Sequence, residues 1–429
     1  MSPAEIAASV AAQHPLVQRL LDGLAAIGAD PPGITREAFG RGENEAQALV
    51  AETARAMGLD TATDAACNLV ITWPGADRSA SRLAVGSHLD SVVQGGNYDG
   101  AAGVVAGLAA VAALRALGLQ PRQDIAVLAL RCEEAVWFQL GLVGSRAALG
   151  LLPEHALALR HARSGRTLAE HIAACGGDPA AVAAGRRLIE PAGLRAFIEL
   201  HIEQAPQLLE AGAPLAVCTG IPGNLRHPRI RIEGEDAHVG LPRRFRRDAA
   251  LAGAELALAL ERLWLEEEQA GRAMAVTIGR FHTLPDRHAM TVVPGSFEMS
   301  LDLRAYDAAH LAALEERLHA AVREVAARRG VSIDLGERNA GAIGPMDRAI
   351  RGGLEDAAAR LGILQHPLGS PASHDAANFA AAGVPTGMLL MRNRNGSHNP
   401  KEAMEVDDLM AGIAVLALWL AEQGCQRSL

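Results

Sequence analysis

The sequence predicts an α/β protein whose first domain is interrupted by a second, smaller one. Short β-branched or leucine-rich runs, NLVITW, RLAVGS, DIAVLALR and RAFIELHI, alternate with helical patterns such as GVVAGLAAVAALRALG. Between 217 and 333 the order changes to strand, helix, two strands and helix, which is typical of an α+β domain with an antiparallel sheet. After Gly341 the α/β rhythm returns, so the first domain is discontinuous.

Hydrophobic spacing and turn residues define the elements in order. A Pro-Pro-Gly break separates two amino-terminal helices, and the strand runs that follow predict a mixed, largely parallel sheet flanked by helices. In the second domain, helices from Asp248 to about Ala270 and from about Asp307 to Arg329 accompany the strands PRIRIEGE, AMAVTIGRF and VPGSFEMSLDLRA. The other expected elements are helices at 5–28, 43–58, 347–361, 374–382 and 406–422, an alanine-rich helical stretch at 153–190, and the strand VPTGMLLM. The expected domain bounds are 1–216, 217–333 and 334–429.

Composition argues against several classes of function. A chain of 429 residues favours two or three domains, and 49% hydrophobic with 21% charged residues indicates a well-packed soluble protein. The net charge is −9, the arginines are scattered and aromatic residues make up only 3%, which argues against a nucleic-acid surface. The expected partner is a small molecule.

The amino terminus and the cysteines favour a cytoplasmic location. The stretch MSPAEIAASVAAQHPLVQRLL lacks the basic segment and unbroken apolar run of a signal peptide. No window reaches the roughly 18 uninterrupted apolar residues that would span a membrane. The five cysteines are odd in number, widely spaced and without a CxxC pair, which suits free thiols in a reducing compartment and excludes a zinc knuckle.

Polar residues follow four of the predicted strands, at the strand ends where open α/β sheets bind ligands. A single histidine in such a place is more often a hydrogen-bonded structural residue than a ligand, and a pair of acids is often a solvated surface feature. The set as a whole is harder to explain in that way. It comprises His88 and Asp90, the pair Glu133 and Glu134, His201 with Gln204, and His398, together with Asp99 in the glycine-rich loop GGNYDG.

Imidazoles and carboxylates are the ligands that zinc and similar divalent cations take, and one carboxylate commonly bridges two such ions. Two ions about 3.5–4 Å apart can bind a shared hydroxide and polarise a carbonyl. Glu133 and Glu134 lie beyond the apolar run DIAVLALRC, where the alternation of strand side chains no longer separates them. One acid can then bind metal while its neighbour takes a proton from water.

Seven motifs resemble, in order, those of the M20-type metal-dependent amidohydrolases. Within this family, the resemblance is to the hydantoinase/carbamoylase branch, which includes N-carbamoyl-L-amino-acid hydrolases, allantoate amidohydrolases and β-ureidopropionases. It implies a metallohydrolase catalytic domain, an inserted lid and dimerisation domain, and a homodimer formed through that inserted domain. The motifs are GSHLDSVVQGGNYDGAAGV, CEEAVWF, ELHIEQAP, GEDAHVG, VVPGSFEMSLDLR, SHDAANFA and GSHNPKE.

The resemblance also implies roles for individual residues. His88, Asp99 and His201 would hold one ion, and Asp99, Glu134 and His398 the other. Asp90 would orient His88 from behind, and Glu133 would be the general base. In the inserted domain, His238 would stabilise the oxyanion from across a dimer, and Arg304 would pair with the substrate carboxylate. Gln204 would be a further substrate contact. Without the resemblance, His238 and Arg304 read as a surface histidine and an ordinary ion-paired arginine.

Three departures from the family pattern fall around the substrate pocket. Trp137 replaces the usual arginine of EEGxRF, the segment reads HVGLPRR where the family has HAGTTPM, and Thr291 replaces an asparagine that commonly helps to grip the substrate carboxylate. The reaction type is therefore better supported than any one substrate.

The expected reaction is hydrolysis of an N-carbamoyl-L-amino acid to the amino acid, carbon dioxide and ammonia by two divalent cations. Zinc is the expected metal, and manganese, cobalt or nickel would suit the same ligands. The alternatives are allantoate or another ureido acid, an N-acyl amino acid or peptide, and a metal-assisted binding protein without catalysis. Retention of Glu133 argues against the last alternative, because a binding protein has no evident use for a base. A nucleotide-binding protein is disfavoured because GGNYDGAAG matches no phosphate-binding loop.

Overall fold

A computed structural model describes residues 2–427, which divide into two compact units. The larger unit comprises the chain up to Ile221 and from Gly344 onward, and the inserted unit comprises Pro222–Ile343. These bounds lie later in the chain than the expected 217 and 333. The reason is strand pairing, because Gly220–Ile221 pairs with Gly344–Pro345 in the larger unit, whereas Asn339–Gly341 pairs within the inserted sheet.

The larger unit is built on a mixed sheet of seven strands. The four central strands are parallel, and antiparallel strands complete both edges. This is the mixed, largely parallel sheet that the sequence predicts. In spatial order the strands are Asp60–Thr63, Leu69–Trp73, Ile125–Leu130, Arg82–His88, Leu194–Ile202, Thr386–Met391 and Leu215–Val217.

Helices cover both faces of this sheet and enclose two apolar cores. Small two-stranded ribbons join Ala29–Asp30 to Gly33–Ile34 and Leu119–Pro121 to Cys425–Arg427. The α-helices of the larger unit are Pro3–Ala11, His14–Ile27, Arg41–Ala56, Ala101–Ala116, Val143–Ala148, Leu168–Ala174, Pro179–Ala183, Gln207–Ala211, Arg348–Arg360, Asp375–Ala381 and Val406–Gly424.

The helix Ala101–Ala116 lies at the centre of the larger core, and nearly all of its residues are buried. Its small side chains allow a close approach to the sheet. A Cβ atom at Gly103 would lie 2.0 Å from the carbonyl oxygen of Leu200, so only glycine fits there. The start of this helix is thereby held against the strands that end in His88 and carry His201.

The inserted unit is an α+β module. Two long helices, Ala249–Gln269 and Ala308–Arg329, pack on an antiparallel sheet and share one apolar core with it. Ala237–His238 and Val292–Val293 form a separate two-stranded ribbon. The strands of the main sheet are Gly223–Glu233, Met274–Thr277, Phe281–Thr283, Ser296–Ala305, Ser332–Asp334 and Asn339–Gly341.

Two local expectations differ from the structure. The helix expected at 5–28 is divided into two, because Pro15 lacks the backbone N–H that would continue the first helix and instead lies in the first turn of the second. The stretch 153–190 forms only short helical segments, including Leu168–Ala174 and Pro179–Ala183, separated by turns. Within residues 2–427, no helix is long and apolar enough to cross a membrane.

Candidate metal centre

The candidate residues of the larger unit meet at the carboxyl ends of the sheet strands. His88 ends the strand Arg82–His88, and His201 lies near the end of the neighbouring parallel strand Leu194–Ile202. Asp99 directly precedes the buried helix that begins at Ala101. Glu133, Glu134 and His398 lie on the loops that follow two other strands of the same sheet.

Unusual backbone conformations bring these loops together. Gly100 has a φ of 65°, and a Cβ atom there would lie 2.4 Å from ring atoms of His88. Left-handed φ values also occur at residues that carry side chains, among them Cys132, Gln204 and His398 at 51°, 65° and 59°. Such conformations are costly for residues other than glycine and persist only where surrounding contacts impose them.

His88, Asp99 and His201 form the first group of potential cation ligands, and all three are buried. Asp99 Oδ1 lies 3.1 Å from Nε2 of His201 and 3.5 Å from Nε2 of His88. The three candidate donor atoms lie within 4.8 Å of one another, so one cation would reach all of them.

Asp99, Glu134 and His398 form the second group. His398 Nε2 lies 3.2 Å from Glu134 Oε1 and 3.5 Å from Asp99 Oδ2. Asp99 therefore presents one oxygen to each group, which is the arrangement of a bridging carboxylate. Half of the His398 side chain is exposed, so the second group is open to solvent on that side.

The unsatisfied polar atoms of these groups fit divalent cations. His88 Nε2 and Glu134 Oε1 are buried and have no hydrogen-bond partner among residues 2–427. Leaving such atoms unpaired is costly in a protein interior, and a bound cation removes that cost. Imidazole nitrogens and carboxylate oxygens are suitable ligands for zinc, manganese, cobalt and nickel.

The pKa values of the groups reflect the same concentration of charge. The nearby carboxylates of Asp99 and Glu134 raise the pKa of His398 to about 11. Burial by itself would raise the pKa of Asp99, but the charge of His201 and the close imidazoles of His201, His398 and His88 hold it well below its usual range. Burial raises the pKa of Glu134.

Asp90 fixes the relative positions of His88 and the two glutamates. Its Oδ1 atom lies 3.3 Å from Nδ1 of His88, on the opposite side of the ring from the cation group. Its two carboxylate oxygens accept hydrogen bonds from the backbone N–H groups of Glu133 and Glu134, at 3.0 and 3.1 Å. One buried carboxylate therefore orients a candidate ligand and anchors the glutamate pair.

Glu133 lies beside the first group. Its Oε2 atom is 3.9 Å from Nε2 of His88, and its side chain is only 13% exposed. Burial raises the pKa of Glu133 well above its usual range. A carboxylate whose pKa is raised in this way is suited to accepting and returning a proton.

Two residues that support Asp99 are not among those predicted from the sequence. Glu402 Oε1 accepts hydrogen bonds from the backbone N–H groups of Tyr98 and Asp99, at 2.9 and 3.2 Å. The Ser397 hydroxyl contacts Glu402 Oε2 at 2.6 Å and also contacts Asp99 Oδ2. Both residues flank His398 in GSHNPKE, so that motif carried the signal. Gln204, expected as a substrate contact, donates from Nε2 to Asp99 Oδ2 at 2.7 Å.

The candidates of the inserted unit lie in two places within that unit. His238 and Thr291 are exposed neighbours, joined by the hydrogen bond from Val239 N–H to the Thr291 carbonyl at 3.0 Å. Arg304 lies on the main sheet and donates from Nε and Nη2 to both carboxylate oxygens of Asp302, at 3.1 and 3.2 Å. Their roles toward a substrate stay predictions.

The larger unit is a discontinuous α/β unit with two groups of candidate cation ligands at its strand ends, and an α+β module interrupts it. Comparison with known families is specific. Residues 84–422 match the model of peptidase family M20/M25/M40, and the chain belongs to this family.

Individual relatives agree with this assignment. The N-carbamoyl-L-amino acid amidohydrolase of Geobacillus stearothermophilus is 34% identical, over 95% of this chain and 98% of its own. The allantoate amidohydrolase of Escherichia coli is 30% identical, over 96% and 98%. A crystal structure of a hydantoinase/carbamoylase family amidase from Burkholderia multivorans superposes with a TM-score of 0.85 at 28% identity, over 97% of this chain and 98% of its own. The resemblance stated from the motifs and the mixed α/β fold are confirmed, and the family and these relatives define the protein as a hydrolase of linear amide or ureido bonds.

Proposed function

We propose that the protein hydrolyses an N-carbamoyl-L-amino acid to the free amino acid, carbon dioxide and ammonia, using two divalent cations. One observation carries the proposal, namely that the two groups of candidate ligands share Asp99. A shared carboxylate is typical of a dinuclear site, and a dinuclear site suits attack of water on a carbonyl. The N-carbamoyl amino acid amidohydrolases among the relatives support this substrate class.

The residues of the larger unit would hold the two cations. His88, Asp99 and His201 would bind one, and Asp99, Glu134 and His398 the other. Zinc is the default, and manganese, cobalt and nickel suit the same donor set. When bound, the cations would polarise the carbonyl of the substrate and lower the pKa of a water molecule.

Glu133 would move the proton. Its carboxylate lies beside the first group of ligands and would take a proton from the attacking water. It would then deliver that proton to the nitrogen that leaves as ammonia. The carbamate that remains on the amino acid would lose carbon dioxide to release the free amine, so one water is consumed overall. Asp90 would hold Glu133 in place through the backbone N–H of that residue.

The inserted unit would supply the substrate contacts and act as a lid. His238 would donate a hydrogen bond to the oxyanion. Arg304 would give up its hydrogen bond to Asp302 and pair with the carboxylate of the substrate, because a guanidinium binds a carboxylate through two parallel hydrogen bonds. Thr291, beside His238, and Gln204 of the larger unit would complete these contacts. Lid closure would exclude bulk water.

We also propose that the protein is a homodimer through the inserted unit. Leu251, Leu258 and Leu265 are exposed and lie seven residues apart on one face of the helix Ala249–Gln269. A stripe of this kind is suited to helix pairing. Light scattering should give twice the chain mass for wild type and the mass of a monomer for Leu258→Glu. A wild-type monomer that is fully active would remove any role for His238 across a dimer.

We also propose a cytoplasmic location, because the five cysteines are free thiols, as suits a reducing compartment.

A second candidate substrate class is ureido acids such as allantoate or ureidoglycolate. The allantoate amidohydrolase and the ureidoglycolate hydrolases among the relatives favour it. Both candidate substrates carry a ureido group and a carboxylate, so they differ in the pocket and not in the chemistry of the centre.

The test is ammonia release from a panel of N-carbamoyl amino acids, allantoate and ureidoglycolate, together with release of the free amino acid from N-acyl amino acids, which yield no ammonia. Chelated protein is assayed with and without added zinc, manganese, cobalt or nickel. Cation-dependent release from a carbamoyl amino acid is the expected result, whereas release only from allantoate or ureidoglycolate would move the assignment to the second class.

Glu133→Gln provides the matched variant for the catalytic role. It should lower turnover by roughly 1,000-fold while both cations remain bound, because the change removes the base and leaves the candidate ligands. Unchanged turnover would remove Glu133 from the reaction.

A further inference from the structure

Trp137 is buried and joins two of the loops that form the metal centre. Its side chain is 1% exposed, and its indole N–H donates to the carbonyl oxygen of Ser91 at 2.9 Å. Ser91 directly follows Asp90, whose carboxylate accepts the backbone N–H groups of Glu133 and Glu134. The segment 133–137 is therefore bound at both ends to residues 90 and 91.

The backbone of this loop needs such support. Cys132, Gln139 and Leu142 adopt φ values of 51°, 57° and 60° although none is glycine. Three left-handed residues in eleven positions make the free loop unfavourable, so its shape depends on contacts with its surroundings. The Leu142 N–H closes the loop on the carbonyl of Glu133 at 2.9 Å, and the bond from Trp137 links the middle of the loop to Ser91.

Residues 161–163 contact the same indole and its backbone. The imidazole of His161 stacks on it with ring centroids 5.4 Å apart and an interplanar angle of 4°. The guanidinium of Arg163 lies 5.3 Å from the centre of the Trp137 ring and pairs with Glu37 at 3.4 Å. The Ala162 N–H donates to the Trp137 carbonyl at 2.7 Å. This irregular stretch therefore packs against the loop of residues 132–142, which we call the glutamate loop.

We propose that Trp137 is a positioning residue that holds the Glu133-Glu134 loop against Asp90 and Ser91, and so sets the binding of the cation held by Glu134 and the placement of Glu133. Trp137 is buried and acts through the loop, so it needs no contact with substrate. The catalytic half of this proposal rests on the proposed function, whereas the cation-binding half does not depend on the identity of the substrate. His161 and Arg163 would hold the indole in place.

Trp137→Phe tests the proposal, because it keeps an aromatic ring and removes only the N–H and part of the stacking surface. Trp73→Phe is the matched control. Trp73 is also buried, also lies beside an arginine, Arg115, with its guanidinium 5.9 Å from the ring centre, and lies on a sheet strand away from the glutamate loop. Chelated proteins are titrated with zinc against a chromophoric chelator, and kcat and KM are measured on the reloaded enzymes.

Trp137→Phe should weaken binding of one of the two zinc ions by about 10-fold and lower kcat by about 10-fold with little change in KM, as is typical when a residue supporting a ligand is lost. Trp73→Phe should leave both zinc affinities and kcat within about twofold of wild type, since its ring lies outside the loops of the centre. Equal zinc binding and equal kcat in Trp137→Phe and wild type would overturn the proposal.

A second variant keeps the proposal testable if Trp137→Phe fails to fold. His161→Ala removes the stacked ring and leaves the indole hydrogen bond in place. It should weaken the same zinc ion by a smaller factor, about threefold, because the loop retains its bond to Ser91. No change in zinc affinity in this variant would count against the proposal. If wild type bound two zinc ions but hydrolysed nothing in the panel, the proposed function would fail while the zinc titration still tested Trp137.

Discussion

Two buried carboxyl groups, one in each unit, have opposite ionisation behaviour. Asp375 of the larger unit is fully buried, and burial together with the charge of Glu199 raises its pKa to about 7. Glu267 of the inserted unit is also buried, yet hydrogen bonds from Arg272 and His310 lower its pKa to about 2. Burial alone therefore does not decide whether a carboxyl group carries charge. The charged side chains around each carboxyl group also determine its ionisation.

A second contrast separates the candidate metal centre from the inserted unit. Around the metal centre, the ion pairs of Asp90, Asp99, Glu133 and Glu134 within residues 2–427 are all with histidines. In the inserted unit, acids are paired with arginines, as in Asp236–Arg287, Glu255–Arg329, Glu267–Arg272, Glu298–Arg229 and Glu315–Arg338. An arginine keeps its charge and has no free lone pair, whereas a histidine can exchange its proton for a metal ion. The candidate metal centre is therefore suited to divalent cations, whereas these acids of the inserted unit are neutralised by arginines.

The largest expected effect comes from Asp99, the residue common to both ligand groups. Asp99→Asn should abolish tight binding of both cations and lower turnover by roughly 1,000-fold or more, because a neutral amide is a poor bridge between two cations. Glu298→Gln in the inserted unit is the control and should leave cation binding unchanged. Cation content is measured by elemental analysis after dialysis. Equal cation content in Asp99→Asn and wild type would show that Asp99 is not a ligand shared by two cations.

A smaller effect is expected on stability at Asp375. Its pKa is about 7 in the folded protein against an ordinary value of 3.8, so the folded state is penalised as pH rises from 4 to 7 and fully so above 7. Asp375→Asn should therefore raise the free energy of unfolding of the chelated protein by about 1–2 kcal/mol at pH 8, with a smaller gain at pH 5. Urea unfolding at the two pH values checks this. A destabilised variant at pH 8 would show that the Asp375 charge is compensated.

The smallest effect is expected at Glu267, with the opposite dependence on pH. Its pKa is about 2 in the folded protein against 4.5 ordinarily, so its stabilisation is complete above pH 4.5 and is lost as pH falls toward 2. Glu267→Gln should cost about 1 kcal/mol at pH 7, since the partly exposed arginine side chains screen the pairing, and less at pH 3. Urea unfolding at both pH values measures it. A cost that grows as pH falls would show that the charge of Glu267 does not stabilise the folded protein.

Much of the fold and of the larger-unit site could be predicted, because both follow from local pattern. His88, His201 and the glutamate pair stand directly after apolar strand runs, and parallel strands bring their carboxyl ends to one edge. The residues that support this site were harder to predict from the sequence. Glu402 is more than three hundred positions from the Asp99 backbone that it holds, and no local pattern records such a contact. Trp137 was visible as a departure, but its bond to Ser91 depends on the path of a strained loop.

We propose that the larger unit holds two cations through one shared carboxylate and uses them for hydrolysis. A titration of chelated wild-type protein with zinc or manganese tests this, with bound cations per chain and ammonia release from an N-carbamoyl amino acid followed together. Binding should saturate at two cations per chain, and full activity should require both. Full activity in protein stripped of cations, or saturation at a single cation, would contradict it.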